Sequence, residues 1–145
     1  MLRREFLIGT LAISTFPKSV FASADALFVN RTESCGCCGA WVERMISAGF
    51  KAEVNFVNEE VLRSIKSQLA IPVDLSSCHT ATIGSYFIEG HVPHDAITKL
   101  LTERPNIKGI TVPGMPAGIN VPGMEVSNER AKFDVLAVNT DGSTF

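Results

Sequence analysis

The sequence predicts an α/β domain with the order β-α-β-α-β-β-α, followed by a C-terminal extension with one further strand. Three observations predict it. Short apolar or alternating stretches, typical of strands, alternate with amphipathic stretches typical of helices. A length of 145 residues suits one compact domain. A content of 46% apolar and 19% charged residues is globular. We place the domain at residues 25–108 and the extension, packed on it, at residues 109–145.

The first 24 residues have the pattern of a secretory signal peptide. A basic pair, Arg3 and Arg4, precedes an apolar stretch at 6–16, and small residues at 22–24 give a cleavage site. The segment beginning at Arg3 also resembles a twin-arginine signal. We therefore expect export, by the general secretory or the twin-arginine route. The alternative is an uncleaved N-terminal helix.

The first half of the exported chain reads as two strand–helix pairs. The apolar run at 26–30 predicts a strand, and apolar residues at helical spacing predict a helix at 40–48. Alternation at 51–57 predicts the second strand. Asn58 can cap a second helix at 59–69, which carries an apolar stripe.

The second half begins with a predicted hairpin. Strands at 80–83 and 86–89 turn at a Gly-Ser pair, and a helix follows at 93–103. Residues 109–126 are punctuated by glycine and proline, which predicts an extended loop. A late strand is expected at 132–139.

Three cysteines lie within four residues, directly before the first predicted helix. Cys35 and Cys38 form a C-x-x-C pair, and Cys37 lies between them. Thiolates at a helix N-terminus have a lowered pKa, because the backbone amides and the helix dipole favour negative charge there. A thiolate is both a nucleophile and a soft metal ligand, and spacing alone does not separate the two roles. A cysteine pair that opens the first helix of this element order resembles the thioredoxin fold.

The fourth cysteine, Cys78, stands just before the third predicted strand. In a thioredoxin-like arrangement the loop entering that strand packs against the C-x-x-C turn, so Cys78 would meet the other three. Four converging sulfurs favour a metal site over a disulfide shuttle, which needs only two. Thiol redox chemistry without metal, and two inert disulfides such as Cys35–Cys38 with Cys37–Cys78, remain open.

The ligand types indicate which metal such a site would prefer. Thiolate-rich sites suit Cu(I), zinc or iron–sulfur clusters, and thioether ligands narrow the choice towards Cu(I). The stretch Val112–Met115 recurs as Val121–Met124, so both Met115 and Met124 lie in Pro-Gly-Met loops. This repeat favours both methionines as further ligands.

Histidines add weaker candidates. His79 follows Cys78 directly, and if the strand has already begun there, the two side chains face opposite sides and cannot share a metal. His91 and His94 flank the entry to the third predicted helix. Each histidine is more often structural than a ligand. We keep His79 and His91 as secondary candidates.

Five short motifs are spread over roughly residues 26–140. They are Cys35-Gly36-Cys37-Cys38 with Trp41, Ser77-Cys78-His79-Thr80-Ala81, Ile88-Glu89-Gly90-His91-Val92-Pro93, Val112-Pro113-Gly114-Met115-Pro116 and Pro122-Gly123-Met124-Glu125. Together these motifs resemble the CopG-type copper-resistance family. The resemblance implies a thioredoxin-like domain with a C-terminal extension, in the periplasm of Gram-negative bacteria, with copper at the C-x-C-C cluster and a role in copper tolerance.

On that resemblance, four cysteines and two methionines carry over as copper-binding positions. They are Cys35, Cys37, Cys38, Cys78, Met115 and Met124. No role carries over to His94, where the resemblance leads us to expect a small residue.

The leading hypothesis is a monomeric periplasmic protein that binds one or several copper ions at the cysteine cluster. It would buffer copper, pass it to efflux or chaperone proteins, or interconvert Cu(I) and Cu(II) as a copper oxidoreductase. The first alternative is a thiol–disulfide oxidoreductase using Cys35 and Cys38. The second is a zinc-binding or disulfide-stapled structural module.

Composition argues against two further classes of function. Lysine and arginine number 13 against 15 acidic residues, so the net charge of −2 gives no basis for binding nucleic acid. No apolar run approaches the ~20 residues of a membrane-spanning helix, so we expect no membrane association after signal cleavage.

Overall fold

The computed structural model describes residues 26–145, so the predicted signal peptide at 1–24 lies outside the described residues. This part of the chain forms one mixed sheet with three α-helices and a 3₁₀ turn at Val73–Leu75. In chain order the elements are β1 (Leu27–Arg31), α1 (Gly36–Ser47), β2 (Ala52–Phe56), α2 (Glu59–Gln68), β3 (Thr80–Ile83), β4 (Tyr86–Glu89), α3 (His94–Glu103), β5 (Ile107–Thr111) and β6 (Leu136–Asn139).

The six strands lie in the order β2-β1-β3-β4-β5-β6. The pairs β1–β2 and β4–β5 are parallel, and the other neighbours are antiparallel. The mixed α/β class predicted from the sequence is therefore confirmed. The finer thioredoxin-like assignment stays a prediction.

Helices cover both faces of the sheet. The main apolar cluster joins α1 and α3 to the sheet through residues such as Trp41, Ile97 and Ile88. Neighbouring residues of a strand face opposite sides, so Phe87 faces away from Ile88 and belongs to a second, smaller apolar cluster. The α2 residue Lys66 contacts this opposite face.

Two element boundaries differ from the sequence prediction in ways that matter for function. Helix α1 begins at Gly36 and not at residue 40, so Cys37 and Cys38 lie inside its first turn. The prediction of a loop over 109–126 was wrong for its first residues, because β5 occupies Ile107–Thr111 between β4 and β6. At Gly109 a side chain would overlap the carbonyl and ring of Phe87 on the neighbouring strand, which explains the glycine inside β5.

The late strand is also shorter than predicted, with β6 spanning Leu136–Asn139. Within residues 26–145, no helix has both the length and the apolar character needed to cross a membrane.

Candidate metal centre

All four cysteine side chains meet at the N-terminus of α1. Their Sγ atoms lie within 4.8 Å of one another. Cys35 and Cys38 are joined by a disulfide with their Cα atoms 5.4 Å apart, whereas Cys37 and Cys78 are free thiols. Reduction of that disulfide would give four thiols in one compact cluster. We call these four residues the cysteine centre.

The first turn of α1 is held by an arginine at the end of β1. Cys35 is the N-cap residue, in extended conformation and without a side-chain cap. Arg31 Nη1 donates to the Cys35 carbonyl at 2.7 Å and to the Thr32 carbonyl at 3.0 Å. A Cβ at Gly39 would lie 3.1 Å from Arg31 Nη2, so the absence of a side chain leaves space for the guanidinium. Arg31 thus places a positive charge against the turn that carries three of the cysteines.

Cys78 reaches the centre from the loop that precedes β3. Its thiol has a pKa raised to about 12, mainly because burial disfavours the thiolate and also because Cys37 lies beside it. A metal ion would offset both effects, since it supplies the positive charge that the buried thiolate lacks. Without a cation beside it, Cys78 is therefore a neutral thiol near pH 7.

Two histidines contact the Cys78 sulfur. Strand β3 begins at Thr80, so the alternation that would have separated His79 from Cys78 does not apply. His79 Nδ1 lies 3.3 Å and His91 Nε2 lies 3.1 Å from Cys78 Sγ. The donor atoms of these three residues lie within 4.8 Å of one another. Cys78 thus belongs both to the cysteine centre and to a Cys-His-His group.

The hydrogen bonds of His91 fix its tautomer. Its Nδ1 lies 2.8 Å from the Pro122 carbonyl, which can only accept, so Nδ1 carries the proton and Nε2 keeps its lone pair towards Cys78. Burial lowers the pKa of His91, although the Pro122 carbonyl and Glu125 act in the opposite direction. The ring is therefore neutral near pH 7, as a metal ligand must be.

His79 is fully buried against Trp41, with ring centroids 4.6 Å apart. Burial lowers its pKa well below the ordinary value, and the charges of His91, Lys66 and Arg31 add to this effect. Its Nε2 atom finds no hydrogen-bond partner among the described residues. A buried nitrogen without a hydrogen-bond partner lowers the stability of the fold. The position of His79 beside the thiols therefore costs folding free energy.

The two Pro-Gly-Met loops contact different segments that carry the cysteines. The loop 112–115 contacts the segment before Cys78, because the Ser77 hydroxyl donates to the Gly114 carbonyl. The loop 121–124 packs against α1, where a Cβ at Gly123 would lie 2.7 Å from the Cys37 carbonyl. Met115 is 58% exposed and Met124 is partly buried. Ligation by either thioether stays a prediction.

The structure also places residues that the sequence analysis did not single out. Arg31 stands four residues before Cys35, which is the one signal that could have indicated it. Glu89 lies two residues before His91, and Lys66 lies in the helix predicted at 59–69, where no role was assigned to it. His94 begins α3 as an exposed residue and belongs to neither metal-ligand group.

Comparison with known proteins identifies relatives of this chain. The family model described as "Protein of unknown function, DUF411" matches residues 75–124. Two solved structures, "Copper resistance protein copG- Form 1" and "Form 2", are 36% and 37% identical, each with a TM-score of 0.75. Each match covers 84% of this chain and 94% of the other. No curated protein matches. The chain therefore belongs to the family of the CopG copper resistance proteins.

Proposed function

We propose that this protein binds copper at the cysteine centre and acts in copper tolerance. The observation that carries the proposal is the convergence of four Sγ atoms within 4.8 Å in a relative of copper resistance proteins. One copper ion, or several with bridging sulfurs, would be bound by thiolates of Cys35, Cys37, Cys38 and Cys78.

The donor set fits copper on chemical grounds. Thiolates and neutral imidazoles are preferred ligands of Cu(I), and soft ligation favours that oxidation state over Cu(II). His79 and His91 are both held neutral beside Cys78. Met115 and Met124 would add thioethers from the two flanking loops. Carboxylates would favour harder cations. The two donor groups found among residues 26–145, the cysteine centre and the Cys-His-His group, contain no carboxylate.

The proposal includes an exported protein that works in the periplasm. The signal-like residues 1–24 support export, and a disulfide between Cys35 and Cys38 fits an oxidising compartment. Copper would then be exchanged with periplasmic efflux or chaperone proteins. We propose that the protein acts as a monomer.

Interconversion of copper oxidation states is the further step we propose for this site. Reduction of two Cu(II) ions to Cu(I) takes two electrons. Oxidation of the Cys35 and Cys38 dithiol to the observed disulfide releases two electrons and two protons. The two half-reactions therefore balance without another reductant.

The test is the copper content and absorption spectrum of the exported form, reconstituted anaerobically with Cu(I) after disulfide reduction. We expect bound copper and thiolate charge-transfer absorption for the wild type, and loss of both for Cys37→Ser. The control is Ser47→Ala, an exposed change on the same helix that removes a bond to the Glu43 carbonyl. A wild-type protein without copper would refute the proposal.

A thiol–disulfide oxidoreductase is the second candidate, and the Cys35–Cys38 disulfide favours it. Such an enzyme would reduce or oxidise disulfides in the presence of a copper chelator and would lose activity in Cys35→Ser. Persistence of that activity in Cys37→Ser would separate the two functions, because a two-cysteine shuttle does not need Cys37. A protein that holds only zinc after growth in copper would instead support the structural-module alternative.

A further inference from the structure

A buried ion pair lies behind the cysteine centre, on the face of the sheet covered by α2. Lys66 of α2 pairs with Glu89 of β4, whose side chain is fully buried. Glu89 is also the cross-strand neighbour of Thr80. The Thr80 hydroxyl donates to Glu89 Oε2 at 2.6 Å and accepts from Lys66 Nζ at 2.8 Å. The three side chains therefore satisfy one another inside the protein.

The same carboxylate also binds the backbone of the Cys78 loop. Glu89 Oε1 accepts the Ser77 N–H at 2.6 Å, one residue before Cys78. A second hydrogen bond also holds Ser77, because its hydroxyl donates to the Gly114 carbonyl. A Cβ at Gly90 would lie 2.6 Å from Ser77 Cβ, so the loop also packs closely against the backbone that follows β4.

A buried ion pair is by itself poor evidence of stabilisation. Desolvation costs as much as the attraction returns, and apolar replacement of both partners is often neutral. Burial raises the pKa of Glu89 although Lys66 and the hydrogen bonds counteract it. An apolar pair in place of Lys66 and Glu89 could not accept the hydrogen bond of the Ser77 N–H. The position of the Cys78 backbone is thus the property that depends on this carboxylate.

We propose that Glu89 is a positioning residue that holds Cys78 at the cysteine centre, with Lys66 orienting its carboxylate. The expected effect of Glu89 on copper affinity rests on the proposed copper-binding function. The hydrogen bonds of Glu89 belong to the metal-free form with the Cys35–Cys38 disulfide. The hydrogen bonds of the Glu89 carboxylate go to Lys66, Thr80 and the Ser77 N–H, so Glu89 acts on Cys78 through Ser77.

Two double variants separate the acceptor from the charge. Lys66→Met with Glu89→Gln removes both charges but retains a side-chain oxygen for the Ser77 N–H. Lys66→Met with Glu89→Leu removes the oxygen as well. The surface control is Glu103→Gln, which breaks the exposed pair of Lys99 and Glu103. Circular dichroism establishes that each variant is folded before comparison.

We expect the glutamine double variant to bind Cu(I) as the wild type does. The leucine double variant should lose about 10–100-fold in affinity, the usual effect of losing an outer-shell partner. Its charge-transfer spectrum should resemble that of Cys78→Ser. In the metal-free disulfide form, where Cys37 and Cys78 are the free thiols of the described residues, Cys78 should be alkylated several times faster in the leucine variant alone. Equal affinity and equal alkylation in both double variants would overturn the proposal.

The same bond can be removed from the loop side if the leucine variant does not fold. Ser77→Pro removes both the N–H and the hydroxyl, whereas Ser77→Ala removes only the hydroxyl. Both variants lose the bonds of the hydroxyl to the Gly114 carbonyl and to Cys78 Sγ, so their difference reports the N–H alone. We expect Cys78 alkylation to be faster in the proline variant than in the alanine variant, and equal rates in the two would contradict the proposal. The alkylation measurement needs no copper. A wild type that binds no copper would therefore refute the proposed function and leave the positioning test decisive.

Discussion

The Nε2 atom of His91 lies 3.1 Å from the sulfur of Cys78. The opposite nitrogen of the ring donates to the Pro122 carbonyl at 2.8 Å, so the lone pair points at the thiol. The C-terminal extension thereby sets the protonation of a residue at the centre. A bond from an outer carbonyl that fixes the tautomer is the usual support of a metal-binding histidine.

The two ring nitrogens of His91 can be tested separately. In His91→Asn the amide nitrogen can occupy the place of Nδ1 and bind Pro122, while the function of Nε2 is lost. We expect the extension to keep its place and Cu(I) affinity to fall by at least about tenfold. Competition with a Cu(I) chelator measures the change. His94→Asn, an exposed substitution at the start of α3, is the control, and an equal loss there would contradict the prediction.

The raised pKa of Cys78 predicts the pH dependence of its alkylation. In the disulfide form only Cys37 and Cys78 are free thiols within the described residues. With a pKa of about 12, the thiolate fraction of Cys78 should rise about tenfold per pH unit from pH 8 to 11. The alkylation rate followed by mass spectrometry should rise in parallel.

Cys37→Ser tests the cause of that shift. Burial is the larger cause and the charge of Cys37 the second, so the variant should lower the pKa of Cys78 without restoring the ordinary value. Alkylation at pH 9 should accelerate, while the rate still increases beyond pH 10. A rate that levels off near pH 9 in the wild type would show that Cys78 is not held in the desolvated position.

The sequence predicted most elements because their signals are local. Helix α2 has an Asn58 cap and an apolar stripe, and its predicted range of 59–69 differs from the observed Glu59–Gln68 by one residue. Strand β5 lacked such a signal, since Lys108 and Gly109 interrupt its apolar pattern. It forms because β4 and β6 lie on either side of it. Pairing with distant strands is a tertiary effect that a local pattern does not contain.

The candidate site likewise has some features that the sequence predicts and others that depend on tertiary contacts. The cysteines could be identified from residue type and spacing, and the convergence of Cys78 with the other three followed from the expected fold. The contact of His79 with Cys78 was not predicted, although the predicted strand at 80–83 matches β3, because strand alternation was applied to a residue that precedes the strand. The role of Glu89 was not accessible at all, because its partner Lys66 lies 23 residues away on another element.

The glycines of the two Pro-Gly-Met loops offer a matched pair of substitutions. Both have positive φ, +69° at Gly114 and +81° at Gly123, so alanine should cost about 1–2 kcal/mol of stability at either position. At Gly123 the new Cβ would also lie 2.6 Å from the Trp41 backbone nitrogen, whereas at Gly114 nothing lies within 4 Å. Gly123→Ala should therefore move the loop off α1.

We expect Gly123→Ala to be the more destabilised of the two in urea unfolding, and to lose Cu(I) affinity because Pro122 no longer holds His91. Gly114→Ala should show the smaller loss of stability and retain the wild-type affinity. Equal effects of the two substitutions on copper binding would mean that the contact of the second loop with α1 does not support the centre.

His79 predicts how stability depends on pH. Its folded-state pKa lies well below the ordinary value, chiefly through burial and then through His91, Lys66 and Arg31. Between those two pKa values the unfolded chain binds more protons than the folded one. The free energy of unfolding of the metal-free, disulfide form should therefore fall as pH decreases through about 6.5, by up to about 1.4 kcal/mol per pH unit from this residue.

The variant His79→Phe isolates that contribution, because a phenylalanine ring can still pack on Trp41 and cannot be protonated. His91 lowers stability in acid in the same direction, since its pKa is also depressed, whereas the raised pKa of Glu89 acts oppositely. The difference between wild type and variant removes both of these common effects. Urea unfolding at pH 7.5, 6.5 and 5.5 should show a smaller acid loss for His79→Phe. Parallel curves would show that His79 is not buried in its neutral form.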